Sequence, residues 1–342
     1  MTKLAMNRRQ AIVGLGTAGA MAALGRPAFA ARKVKLGVMR LASHAPSYIA
    51  CERGYFKNEG LDVEFEFFEA AQPMTVAIAS GDADYGVTAM SGGLVSLAQK
   101  GAIKVIGGAL SEEKGRVGAV ILASEEAYQA GLTSPRGLSG KSFGVTTIGS
   151  SFHYMCHKIA EANGIPMSEM TLPRLQKVDA IISALSTGLI DAWAIQGSIA
   201  NKMLAEGAAK QIGLVSDYAP NYQVTTVFTS TNIAADQREQ TAAFIRAYST
   251  AIDDYNAAVV DKTSAPDEVD EVAKIIYKYV DSDLPFQDAK AIFVGSAMRI
   301  KKGCALALDS VTDQLDWFKA EKMVRETITP EMLFDTSYVE TI

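Results

Sequence analysis

Two segments of this chain recur at one offset, 107 residues, and that spacing constrains the fold more than any other feature. Residues 36–38 read Leu-Gly-Val and residues 143–145 read Phe-Gly-Val, with Ser43 and Ser150 following at equal distance. AIASGDAD (77–84) is similar to ALSTGLID (184–191) at the same shift. One such match would mean little. Two at a common offset, with similar patterns between them, imply two lobes of like build.

Inside each copy the pattern alternates. In the first, 34–39 reads as a short apolar strand. Ala45-Pro46-Ser47 then opens a helix, with Ser47 as its cap, that runs to Arg53-Gly54. Leu61, Val63, Phe65 and Phe67 alternate with acidic or polar neighbours, the period-2 signature of a half-buried strand. Residues 73–80 form a helix stopped by Gly81, 85–87 a strand, 93–100 a helix ended by Gly101, and 103–107 a strand. The second copy repeats the order, with strands at 142–145, 171–175 and 192–195 and helices at 152–163, 178–187 and 199–205. Strands separated by helices predict an α/β fold with parallel sheets and crossover connections. Apolar runs at 117–122 and 224–229 flank the second copy and read as the two connections between lobes. The expected division is therefore 31–122 and 226–342 for lobe 1 and 123–225 for lobe 2. The helical tail (235–260, 267–279, 288–297, 310–319) has no glycine-rich or charged linker before it and is expected to pack on lobe 1.

The N-terminus reads differently. Residues 1–10 carry Lys3, Arg8 and Arg9 without an acid, 11–25 are apolar and Ala/Gly-rich, and Arg26-Pro27 precedes Ala28-Phe29-Ala30. That order is an export signal with a signal-peptidase site, so residues 1–30 are excluded from the fold. Arg8-Arg9 resembles a twin-arginine signal, but Ala11 stands where an aromatic is usual, which leaves Sec export open. No cysteine marks the cleavage site, so the expectation is a periplasmic protein without a lipid anchor. Gly14-Leu15-Gly16-Thr17-Ala18-Gly19 matches a dinucleotide fingerprint, but no strand precedes it and it falls in the excluded segment. Losing Lys3, Arg8, Arg9 and Arg26 takes the 33 cations to 29 against 38 anions, a net charge of −9. So acidic a chain is ill suited to nucleic acid, where affinity comes largely from Lys and Arg at phosphates. No later stretch reaches transmembrane length. Cys51, Cys156 and Cys304 are odd in number and far apart, and read as buried apolar residues rather than a disulfide framework.

In open α/β sheets, ligands sit outside the carboxyl ends of the strands. Helix N-termini there present free N–H groups suited to an anion. Two facing lobes would bring four such loops together: 40–47, 88–93, 146–153 and 195–198. They are rich in small hydroxyl donors and glycine. His44 and His153 fall within two residues of each other once the offset is applied. Arg40 follows the first strand and could supply a cation; Trp193 and Gln196 flank a strand end in the second copy. His153, Cys156 and His157 share a spacing that metals use, but no fourth ligand is near in sequence, so neither a metal nor a cofactor is expected. No G-x-S-x-G elbow is present, and the expectation is a binder, not an enzyme.

These segments resemble the nitrate/taurine/sulfonate (NitT/TauT) family of periplasmic binding proteins. APSYIACERGYFKNEGLDVEFEFF (45–68) is similar to the family's A-P-x-x-x-A helix and G-Y-F-x-x-x-G-L-x-V. AIASGDADYGVTAMSG (77–92) resembles its A-L-x-x-G-x-x-D segment and ligand loop, LSGKSFGV (138–145) the opening of its second lobe, and ALSTGLIDAWAI (184–195) its second A-L-x-x-G-x-x-D-A. The resemblance implies a type II periplasmic-binding-protein fold, two α/β lobes joined by two hinge crossings. It implies a monomeric solute-binding protein that delivers a small-molecule ligand to an ABC permease and its ATPase. Carried over by position, the ligand contacts would be Ser43 and His44; Met90, Ser91 and Gly92; and Ser150, Ser151 and His153. SSFHYM (150–155) is similar to the S-T-T-H-Y of taurine-binding members, but Gln196 is neutral where those carry an acidic group for the amine. The resemblance therefore favours a carboxylate or sulfonate, alkyl or aromatic, without an ammonium group. Other readings on the same fold are a pyrimidine or other heterocycle binder and a ligand-sensing partner of a membrane receptor. Cytosolic pyrimidine-synthesis enzymes of this fold use a pyridoxal cofactor and carry a cysteine cluster that this chain does not have.

Overall fold

The computed structural model describes residues 32–342, and the export signal read at 1–30, with its cleavage site, lies outside the described residues. The first lobe runs through β1 (Arg32–Val38), α1 (Ala45–Glu52), α2 (Tyr55–Asn58), β2 (Leu61–Phe67), α3 (Ala71–Ser80), β3 (Tyr85–Thr88), α4 (Gly92–Gln99) and β4 (Ile103–Gly108). The second holds β5 (Ala119–Ser124), α5 (Glu125–Gln129), α6 (Ser151–Ala162), α7 (Val178–Ser186), β6 (Ala192–Gln196), α8 (Gly197–Ala205) and β7 (Ala209–Leu214). The chain returns by β8 (Thr226–Ser230) and continues through α9 (Thr231–Asp236), α10 (Arg238–Tyr255), α11 (Pro266–Tyr277), α12 (Phe286–Gly295), α13 (Leu308–Ala320) and α14 (Pro330–Leu333).

The strand order is β2-β1-β3-β8-β4 in the first sheet and β6-β5-β7 in the second. Beyond β6, the extended segments 142–145 and 171–174 add parallel bridges, Phe143 to Ala192, Ser142 to Thr171 and Val145 to Arg174. With them, the second lobe runs 171–174, 142–145, β6, β5, β7, the same order as the first. The sheets are not wholly parallel, as the alternation predicted. β8 is antiparallel to β3 and β4, and β5 to β6 and β7. Each is the strand that has just crossed from the other lobe, so it enters its sheet from the opposite direction.

The repeat has a physical basis in both lobes. Asp84 accepts the N–H of Lys35 at 2.7 Å, and Asp191, 107 positions on, accepts the N–H of Ser142 at 2.7 Å. A Cβ on Gly37 would lie 2.8 Å from Met74 Cγ, and one on Gly144 2.8 Å from Ile181 Cγ2. Met74 and Ile181 are equivalent residues of α3 and α7, so in each lobe the helix lies too close to the strand for any side chain there. One face of the first sheet buries Leu36, Val38 and Tyr85 against Tyr48 of α1, Phe244 and Tyr248 of α10 and Ile276 of α11. The opposite face, under α3 and α4, joins a core that continues through Phe143 and Trp193 of the second lobe to Leu315 and Phe318 of α13. Burying a side chain of that size stabilises by roughly 1.5–3 kcal/mol.

Three local readings are corrected. Ser47 does not cap α1: the capping position is His44, Pro46 occupies the first turn, where a missing N–H costs nothing, and Ser47 is buried inside the helix. The apolar runs at 117–122 and 224–229 are not themselves the connections; they are apolar because they enter sheets as β5 and β8, and the crossings run just upstream, through 109–118 and 215–225. The tail also reaches beyond lobe 1. On α13, Asp313 accepts a hydrogen bond from Tyr154 of α6, and Trp317 packs edge-on against the same tyrosine at 5.2 Å between centroids. The three cysteines are free, with Cys156 and Cys304 buried and Cys51 partly so. Among the described residues no helix is long and apolar enough to cross a membrane.

Candidate functional site

A cavity of about 500 Å³ lies between the lobes, and all four loops singled out from the sequence reach it. The turn after β1 contributes Ser43 and His44. The end of β3 contributes Thr88, Ala89 and Ser91, the segment before α6 contributes Thr146, Thr147, Ser150 and Ser151, and the end of β6 contributes Ile195 and Gln196. Two of these serines also shape the helices behind them. Ser91 Oγ accepts the N–H of Leu94 at 3.2 Å and Ser150 Oγ that of His153 at 3.4 Å, so each caps its helix while its hydroxyl proton stays free to donate.

The walls include residues that the sequence reading did not name. Ala70 to Pro73 lead into α3, and Arg174, Gln176 and Val178 lead into α7. These segments lie at the carboxyl ends of β2 and of the 171–174 strand, the remaining ones on this side. The rule that selected the other loops selects these as well, had it been applied to every strand end. Leu110, Val224 and Thr225 of the crossings, Ala119 at the start of β5, Met298 of the tail, and Met39, Leu41, Phe152 and Met155 complete the lining.

Five of the expected site residues lie elsewhere. Met90 is buried in the core. Gly92 gives its N–H to the carbonyl of Gly149 at 2.9 Å, a bond that joins the two lobes. His153 Nδ1 accepts the N–H of Gly149 at 3.1 Å and its ring meets Trp317 edge-on at 5.1 Å, so it holds the Gly149 loop in place. Trp193 is fully buried and supports Phe152, which does line the cavity, in a T-shaped contact at 5.4 Å. The Arg40 guanidinium lies 3.9 Å over the Phe67 ring in an adjoining cleft of about 300 Å³. Arg40 is an exposed cation stacked on that ring, outside the larger cavity.

Among the described residues, Arg174 is the one formal charge on the cavity wall, and it makes no ion pair or side-chain hydrogen bond. Its neighbour Lys177 lies 3.9 Å from Glu69 across the cleft. His44 is 1% exposed, and burial pulls its pKa down to about 3, so its imidazole is neutral near pH 7. Burial lowers His153 to about 4, with a small contribution from His157. Both His44 ring nitrogens, Thr88 Oγ1 and Gln196 Nε2 are covered and have no partner. A buried polar atom left in that state costs about 1–3 kcal/mol. The lining contains no carboxylate and no cysteine. Among the described residues no group of three His, Cys, Asp or Glu side chains could hold a metal ion. The arrangement can grip a small molecule by hydrogen bonds, one guanidinium and apolar contact.

A family model described as NMT1/THI5 like matches residues 42–258. No curated protein matches the sequence. Among solved structures, the chain is similar to the alkanesulfonate-binding protein SsuA from Xanthomonas axonopodis pv. citri bound to MOPS, at 14% identity and a TM-score of 0.70, covering 89% of this chain and 98% of that one. It is similar to the periplasmic nitrate-binding protein NrtA from Synechocystis PCC 6803 (12% identity, TM-score 0.68, 88% and 83% covered). The desulfurization enzyme DSZB is similar too, at 12% identity and a TM-score of 0.61, with 90% and 97% covered. At such identities the likeness is one of fold, the two-lobed fold of periplasmic binding proteins.

Proposed function

The chain belongs to the NMT1/THI5-like family, and from that premise we propose that it is the solute-binding component of an ABC importer, exported to the periplasm. It closes its lobes on a small organic anion, a carboxylate or sulfonate, and hands it unchanged to a membrane permease driven by a separate ATPase. The observation that carries this reading is the cavity itself: residues of both lobes line it, hydroxyl-bearing loops surround it, and its one formal charge is an unpaired guanidinium. A ligand touching both lobes favours the closed arrangement over the open one by its differential contacts, which is how such a clamp works. The hydrogen bond from Gly92 to Gly149 and the approach of Lys177 to Glu69 across the cleft are contacts between the lobes that a closed arrangement keeps.

The lining supports binding over catalysis. Nucleophilic catalysis needs a nucleophile within hydrogen-bond reach of its base. His44 is the histidine on the wall, and neither of its nitrogens has a partner. Thermal unfolding in the presence of carboxylates, sulfonates and neutral heterocycles tests the reading. A ligand that binds only the folded chain raises its Tm, by about 2.7 kcal/mol of added stability at a hundred times Kd. A Tm unmoved by every member of the panel contradicts a solute-binding role, and a new product after incubation contradicts delivery of the ligand unchanged.

A further inference from the structure

We propose that the ligand is a monoacid with two unlike ends, an anionic group held by Arg174 near the cavity mouth and a neutral hydrogen-bonding group, a hydroxyl or carboxamide, lodged at the deep end against His44, Thr88 and Gln196. This rests on the solute-binding reading above and names the chemistry of its ligand.

The charge on the wall sets the first constraint. With Arg174 as its single formal charge and no carboxylate, the lining matches one negative charge and leaves an ammonium group without a partner. Arg174 is exposed and on the cavity wall, where its neighbour Lys177 is not, so the guanidinium is the cation available to a ligand. A guanidinium takes a carboxylate through two parallel hydrogen bonds.

The deep end sets the second constraint. Thr88 is fully buried and His44 nearly so, and their polar side-chain atoms have no partners in the protein. No cation stands among them, so a carboxylate placed there would lose its hydration without an opposite charge. A neutral imidazole offers one donor and one acceptor, a threonine hydroxyl offers both, and the Gln196 amide nitrogen donates. A neutral group that both donates and accepts satisfies all three. The same lining includes Met39, Leu41, Leu110, Phe152 and Met155, apolar walls that suit a hydrocarbon or aromatic spacer.

Calorimetric titration with matched probes tests the assignment. The first set is 4-hydroxybenzoate, benzoate and phenol; the second is 6-hydroxyhexanoate, hexanoate and hexanol. In at least one set the hydroxy acid is expected to bind at least tenfold more tightly than the acid without the hydroxyl and than the alcohol or phenol without the acid. Arg174→Gln, at an exposed position, should remove the advantage over the alcohol or phenol and leave the advantage over the plain acid. Thr88→Val, close to isosteric, should do the reverse, and an unchanged far-ultraviolet spectrum shows that it folds. If plain acids, dicarboxylates or neutral heterocycles bind and the hydroxy acids hold no advantage in either set, the two-ended assignment is wrong and the clamp stands. If neither these probes nor the wider thermal panel bind, both fail. An advantage that survives both substitutions also overturns the assignment.

Discussion

Replacing Glu112 with glutamine should stabilise the protein by an amount that grows with pH. Glu112 is fully buried in the 109–118 crossing. One carboxyl oxygen accepts the N–H of Ala119 at 2.9 Å and the other has no partner. A Cβ on Gly118 would sit 1.8 Å from the unpartnered oxygen, so the glycine makes the room that the carboxyl fills. The second crossing packs alongside, where the carbonyl of Tyr222 accepts the N–H of Glu112 at 2.8 Å and the tyrosine hydroxyl is buried without a partner. Loss of hydration pushes the carboxyl up to about 7, against a smaller downward pull from the Ala119 N–H. Its folded pKa therefore lies above its ordinary value of 4.5. Between those two pH values the folded chain keeps a proton that the unfolded chain has released. The contribution is fully present below pH 4.5 and is lost as pH rises through about 7. At about 1.36 kcal/mol for each pH unit, the gap comes to roughly 3 kcal/mol. Glutamine keeps an acceptor for Ala119 and never ionises. Urea unfolding of both proteins from pH 4 to pH 8 should show a stability difference that is flat below 4.5 and moves by roughly 3 kcal/mol in favour of Glu112→Gln by pH 8. His44 and His153 act with the opposite sign, since their lowered values give stability that is lost as pH falls from 6.5 toward about 3 and 4. They are common to both proteins and cancel in the difference. Two parallel pH curves would refute the account of a proton-holding carboxyl in the hinge.

Other expectations follow from the packing. Gly37→Ala and Gly144→Ala should destabilise by similar amounts, about 1–3 kcal/mol each by urea unfolding, because each new Cβ meets the equivalent helix at 2.8 Å; a neutral result at either position would break the equivalence of the lobes. Gly149 has φ +78° and its Cβ would stand 3.4 Å from the Gly92 nitrogen and 3.0 Å from Met323 Sδ. Gly149→Ala should therefore cost about 1–2 kcal/mol of stability and weaken ligand binding by obstructing the contact between lobes, which calorimetry reads directly; full affinity in this variant would show that closure does not use that contact.

The repeat was legible because it records two geometric necessities. Asp84 and Asp191 must accept the N–H of Lys35 and of Ser142 in the neighbouring strands, and Gly37 and Gly144 must leave room for a helix. The crossings were less legible, since an apolar run marks where a strand enters a core and not where the chain passes between lobes. The loops of the site could be read from strand ends, but not which atoms within them are already in use. His153 looked like a ligand from its polar loop, yet its Nδ1 is taken by Gly149 and its ring by Trp317, a residue 164 positions later that no local pattern connects to it. Arg174 escaped notice for a related reason. It ends a strand held by isolated bridges at the sheet edge, and an arginine in such a place reads as an ordinary surface charge until the other lobe is set opposite.

The measurement that tests the central claim most directly is native mass spectrometry of the purified protein with a bound small molecule, followed by denaturation and recovery of that molecule. The account predicts one ligand per chain, recovered with its mass unchanged after prolonged incubation, and retained less well by Arg174→Gln. A molecule recovered as a different compound, or one retained equally by the wild type and by variants of the cavity wall, would contradict it.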